Sequence, residues 1–132
     1  SDVLSLSGDG NAILAGTLTQ SSDWRLKKNI QPINNASQKI DQIRGVYFNW
    51  KDEYHSQNRQ IGFVAQEIEE VFPELVNTDS RGFKSVAYAN MSAVLLEAIK
   101  EQNQRINILE RELSEIKSLL KNSLNNESKN SK

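Results

Sequence analysis

Residues 95–120 read LLEAIKEQNQRINILERELSEIKSLL, and this stretch decides how the chain is built. Ile99, Ile106, Leu113 and Leu120 recur every seven residues, with Leu95, Gln102, Leu109 and Ile116 at the partner position of the same heptad. Seven of these eight seam positions are apolar and the flanks carry Glu and Arg, which exceeds what an amphipathic surface helix needs. Such a seam buries itself against copies of its own chain. Gln102 is the polar layer in it, a residue type that fixes register at a cost in stability. The mixed Ile and Leu usage fits a parallel trimer; the heptads by themselves fit a dimer as well. The helix is expected from about Asn90, as a trimerisation element over residues 90–124. Beyond Leu124 the Asn, Ser and Lys residues read as a frayed or disordered tail, 125–132.

Upstream, residues 22–89 alternate short helical and short strand signals, which gives an α+β class. Residues 36–44 carry apolar positions at Ala36, Ile40 and Ile43 and predict a short amphipathic helix stopped by Gly45. Val46 to Trp50 reads as an aromatic strand, with Tyr47, Phe48 and Trp50 expected in the core rather than as ligand stackers. Lys51 to Gln60 is a polar loop holding the only His, His55, to which no role is assigned. Ile61 to Ala65 returns as a strand, and apolar positions 64, 68, 71 and 72 predict a helix that Pro73 ends. Glu67, Glu69 and Glu70 on it could pair as acid and base, but read as a solvated face. Asp79-Ser80-Arg81-Gly82 between Leu75-Val76 and Phe83 to Val86 predicts a hairpin. The whole is a small mixed helix and strand domain followed by a long helix forming a coiled coil, expected as a parallel trimeric coiled coil, with a dimer left open by the pattern alone.

Residues 1–21 differ in kind. Two strand-like runs flank Gly8-Asp9-Gly10-Asn11, and the segment contains no Lys or Arg, whereas the residues after it are rich in both. It is either the β-rich end of a passenger or this domain's own first hairpin. Just past the boundary, Ser22 precedes Lys27 by five residues. A Ser paired with a Lys is a route to an acyl-transfer nucleophile where no His serves, and this chain has one His and no Cys. Both residue types are common on surfaces, so the spacing alone is weak. A lysine free in water has a pKa near 10.4, and using it as a base near neutrality costs its charged form roughly 4 kcal/mol, which burial or a nearby cation must impose. Lys27 therefore cannot act in a loose chain. Asp23 can cap a helical turn that follows, leaving Arg25 and Lys28 to face water or carboxylates.

An ordered set of motifs raises the Ser-Lys reading. Ser22-Asp23-Trp24-Arg25-Leu26-Lys27, Ile43-Arg44-Gly45-Val46-Tyr47-Phe48-Asn49-Trp50-Lys51, Ile61-Gly62-Phe63-Val64-Ala65-Gln66-Glu67-Ile68, Val71-Phe72-Pro73-Glu74-Leu75-Val76 and Val86-Ala87-Tyr88 follow one another into the closing helix. Together they resemble the endosialidase-type intramolecular chaperones, over roughly residues 22–120. Members of that family sit at the C-terminus of phage tailspikes, tail fibres and neck appendages, and in membrane-tethered transcription factors. The resemblance implies a homotrimer that assists folding of the upstream passenger in the same polypeptide, then cuts itself off in a single turnover. It implies Ser22 and Lys27 as the catalytic dyad and Ser21, Ser22 and Asp23 as the cleavage region. Attack on the Ser21 carbonyl through a five-membered ring is favoured, with cleavage after Ser22 as the alternative, and backbone N–H groups are the expected oxyanion donors. Maturation is expected in the host cytoplasm, with the passenger in the virion tail and the chaperone released. The competing reading is a non-catalytic trimerisation module that stays attached.

Composition bounds the rest. A chain of 132 residues with 37% hydrophobic and 25% charged residues is one lean domain, which gains by burying surface between copies. A net charge of -1 provides no basic field for nucleic acid. No apolar run is long enough for a membrane span, so no membrane partner is expected. Without Cys, ligand clusters or a Gly-rich phosphate loop, no metal and no cofactor is expected.

Overall fold

Local turns build every strand among the described residues, 3–132, of this computed structural model. Strands β1 (Leu4–Leu6) and β2 (Ala12–Leu14) pair antiparallel with Leu4 opposite Leu14, as the Gly-Asp-Gly-Asn turn predicts. In that turn Gly10 sits at φ 82, a left-handed conformation that glycine adopts without strain, and its N–H donates to the Ser7 carbonyl at 3.1 Å. The first two residues of the 1–21 segment lie outside the described residues. Strands β3 (Val46–Phe48) and β4 (Gln60–Gly62) form a second antiparallel pair, and β5 (Val76–Thr78) and β6 (Lys84–Val86) a third. Asp79 shapes the last turn by accepting the N–H groups of Arg81 (2.8 Å) and Phe83 (2.9 Å), and Gly82 takes φ 87.

Three helices complete the chain: α1 (Ala36–Ile40), α2 (Ala65–Val71) and α3 (Met91–Asn130). The chain divides into two compact units, one of residues up to Pro32 together with Ile43–Val86, the other of Ile33–Gln42 together with Ala87–Lys132. In the first, α2 packs against the β5–β6 hairpin and against the 3-10 turn Pro73–Leu75 that follows it. Phe72, the residue before Pro73, leaves the helical region at φ -133, ψ 70, which ends α2 as expected. Ile68, Phe72 and Leu75 are buried. Two of the glutamates read as a solvated face are paired: Glu67 forks with Arg44 (2.8 and 3.1 Å) and Glu69 accepts from Lys84 (2.8 Å).

The second unit joins two distant stretches. Helix α1, which the sequence reading left with the 22–89 region, packs along the start of α3. Ala36 on α1 and Met91, Val94 and Ala98 on α3 are buried. One turn further along α3, Glu101 caps the start of α1 from outside: its carboxylate accepts the Ala36 N–H at 3.0 Å, the Ser37 N–H at 2.9 Å and the Ser37 hydroxyl at 2.6 Å. Those bonds, the Ser37 hydroxyl first, hold the Glu101 carboxyl below its ordinary range.

Two sequence expectations are corrected in this single chain. Tyr47 is 63% and Trp50 43% exposed rather than in a core. Alternation along β3 turns Val46 and Phe48, both half-buried, to one face and Tyr47 to the other, which has no layer over it. Arg59 instead lies over the Tyr47 ring at 3.7 Å, and Trp50 stacks beyond the end of the strand. The expected tail is also helical in part, since α3 continues to Asn130. Asn, Ser, Glu and Lys are modest or good helix formers, and no Gly or Pro interrupts residues 125–130. Most of the heptad seam is free of intrachain cover: Leu95, Ile99, Ile106, Leu109, Leu113, Ile116 and Leu120 are all exposed.

Candidate functional site at the Ser22 junction

The junction is shaped by Asp23. Its extended backbone (φ -59, ψ 131) turns the chain into a single 3-10 turn, Trp24–Leu26, and its carboxylate accepts the Arg25 N–H at 2.9 Å. The same carboxylate forks with the Arg25 guanidinium at 2.6 to 3.1 Å. Arg25, and next its own backbone N–H, pull the Asp23 carboxyl below its usual range, and the carboxylate raises Arg25 in return. The Lys27 N–H closes the turn onto the Trp24 carbonyl at 3.1 Å, and Lys27 leaves it extended. This fold-back brings the amine over the hydroxyl, with Lys27 Nζ donating to Ser22 Oγ at 2.6 Å.

At that distance the two groups are within reach of a proton transfer. Here nitrogen donates; a Ser-Lys nucleophile would need the reverse, a neutral amine accepting the hydroxyl proton. Ser21, Ser22, Asp23 and Lys27 are all exposed, and residues 15–23 belong to no strand or helix. The Ser21–Ser22 peptide is thus reachable, and Lys27 lies open to water. Trp24 (75% exposed) and Leu26 (77%) hold apolar surface outward beside the pair. The hydroxyl and the amine are thus in contact at an exposed junction.

A second cluster was not legible in the sequence. In the loop between β3 and β4 the His55 ring stacks on Trp50 (centroids 4.3 Å apart, planes 22° apart) and its Nδ1 lies 2.7 Å from Asp52 Oδ1. The only local signal was an Asp three residues before the His. Glu101 as a cap gave none, because its partners lie 64 and 65 residues away.

Residues 22–77 match the protein family described as chaperone of endosialidase, which is labelled a peptidase family. The match begins at the hydroxyl of the Ser22–Lys27 contact. The chain is also 37% identical over 99 residues to the long tail fiber protein Gp37 of Enterobacteria phage K3, covering 70% of this chain and 8% of that one. It is 37% identical over 99 residues to its counterpart in Enterobacteria phage T2 (70% and 7%). To that of Salmonella phage S16 it is 32% identical over 120 residues (85% and 16%). The chain therefore spans less than a fifth of the length of these relatives.

Proposed function

The chain belongs to the endosialidase chaperone family through residues 22–77, and on that premise we propose that it is a trimerising intramolecular chaperone of a phage tail fibre that frees itself by cutting beside Ser22. The observation that carries the proposal is the 2.6 Å contact of Lys27 Nζ with Ser22 Oγ at the first residue of the family match. The passenger is the polypeptide upstream, of the kind represented by the long tail fibre relatives. Association through the α3 seam brings three passenger ends together, so that their non-local β pairing starts at high effective concentration and in register. This takes place in the host cytoplasm, and the folded passenger goes on to the virion tail.

The chemical step is an N-to-O acyl shift followed by hydrolysis. Neutral Lys27 takes the Ser22 hydroxyl proton, and Oγ adds to the Ser21 carbonyl through a five-membered ring. The C–N bond to Ser22 breaks, the nitrogen takes the proton from Lys27, and an ester joins Ser21 to Ser22 Oγ. Water then adds to that ester, leaving a carboxylate on Ser21 and restoring the Ser22 hydroxyl beside its new amine. Backbone N–H groups are the donors expected to stabilise the tetrahedral oxyanion. The neighbouring copies of the trimer supply the missing cover over Trp24, Leu26 and the amine, which makes the chemistry wait for assembly.

Exposure of Lys27 in the single chain favours one competing reading, a trimerisation module that stays attached. Fresh product with its upstream region, run on a denaturing gel and weighed intact, decides between them. Cleavage predicts two species with a mass boundary at Ser21–Ser22, and Ser22→Ala predicts one. A single species from the wild type supports the attached module, and normal processing of Ser22→Ala removes Ser22 as nucleophile.

A further inference from the structure

The loop between β3 and β4 is more constructed than a connector needs to be. Asp52 Oδ1 accepts the N–H groups of Tyr54 and His55 (3.1 Å each) as well as facing His55 Nδ1, and the Gln57 side-chain amide donates to the carbonyls of Asp52 and His55 at 3.0 Å. With Trp50 stacked on one face and Asp52 on Nδ1, the imidazole has a fixed orientation. Its remaining edge meets the turn of the β1–β2 hairpin. A Cβ built on Gly10 would lie 3.3 Å from His55 Nε2 and 3.4 Å from Cδ2, so a side chain there would press on the ring. Gly10 meets two requirements at once, the left-handed φ and the close approach.

We propose that the Trp50–Asp52–His55 face is the seat that holds the turn of the segment upstream of the cut, and that a glycine turn is the partner it accepts. The strap from Ala15 to Ser21 is then fixed at both ends, by Gly10 on His55 above it and by the Asp23–Arg25 turn below it. A strap held at two points samples fewer paths than one held at Ser22 alone, so the Ser21 carbonyl spends more time near Ser22 Oγ. His55 is in this sense a positioning residue for the cut. The seat stands without self-cleavage; only its effect on the rate rests on the function proposed above.

The test has two arms. In uncut Ser22→Ala protein, adding His55→Gln removes the aromatic ring beside the Gly10 turn and is expected to shift the Gly10 amide signal in an amide nitrogen–proton NMR spectrum. The β5–β6 amides should keep their positions, which shows the fold intact. A Gly10 signal that His55→Gln leaves in place overturns the seat. In the self-cleaving chain, His55→Gln is expected to slow processing by roughly tenfold with Ser22 and Lys27 in place. An unchanged rate overturns the positioning role. If the wild type does not cut at all, the cleavage mechanism fails and the first arm alone decides the seat.

Discussion

Ser22 and Lys27 are five residues apart in sequence and 2.6 Å apart in space, and Asp23 is what reconciles the two. Its carboxylate caps the 3-10 turn and fixes Arg25, and the turn sends the Lys27 side chain back over Ser22. Asp23→Ala should therefore leave the fold in place, because the residue is exposed, yet slow cleavage by roughly 10- to 100-fold through misplacement of the base. Intact mass against time, with circular dichroism as the control, reads this; wild-type kinetics would show that the cap does not set the geometry. Lys27→Arg tests the base itself. A guanidinium does not lose its proton at working pH, so this variant should fold and assemble but stay uncut, even though it keeps the positive charge and the hydrogen-bond donors. Cleavage of Lys27→Arg at the native rate would end the dyad mechanism while leaving Ser22 a candidate nucleophile.

Among the elements, α1 depends on a residue it could not recruit locally. Asn35, at its N-cap, sits at φ 56 with no capping bond from its side chain, and the orphan N–H groups go to Glu101 on α3 instead. The Glu101 carboxyl is depressed in the folded state, so its contribution is present above the ordinary carboxyl value of 4.5 and is lost as pH falls through the depressed folded value. Glu101→Gln should accordingly lower the melting temperature near neutrality, with the gap to wild type narrowing as pH falls below 4.5. A gap that does not change with pH would mean the carboxylate charge contributes nothing. This element marks the limit of what could be read from the chain. The β1–β2 and β5–β6 hairpins were legible because Gly10 and Gly82 advertise their turns locally, and α2 because Pro73 ends it one residue after its last apolar pair. The place of α1 was not, since no pattern within residues 36–44 points to Glu101. The Ser22–Lys27 pair was legible as a motif, but its contact depends on a 3-10 turn too short to show periodicity. Tyr47 and Trp50 were misplaced because aromatic residues in a strand imply a covering layer, and a two-stranded sheet in one chain lacks it on one face.

At the scale of the whole molecule, packing of α1 on α3 uses Met91, Val94, Ala98 and Glu101 and leaves most of the heptad seam uncovered. Helix α3 is 40 residues long, about 60 Å. Ile99 (58% exposed), Ile106 (49%) and Leu113 (51%) recur along it as an apolar stripe that a monomer leaves in water. Full burial of such a side chain is worth about 1.5–3 kcal/mol, so the stripe provides a strong drive to associate. In the proposed mechanism that drive is coupled to the chemistry by the exposure of Lys27, whose amine would gain cover as other copies close over the junction. Replacing Ile106 and Leu113 together by Asp would force carboxylates into the seam of every copy, at several kcal/mol per site, and should abolish association. Neither residue lies near Ser22 in the chain, and α1 still has its own partners on α3, so the single-chain fold should survive. Under the coupled mechanism the double variant sediments as a monomer, keeps its helical circular dichroism and remains uncut, while the passenger aggregates for want of register. Sedimentation and intact mass on the same sample test the coupling directly: a monomer that processes to completion would show that one chain closes the site by itself, and that assembly serves the passenger without licensing the cut.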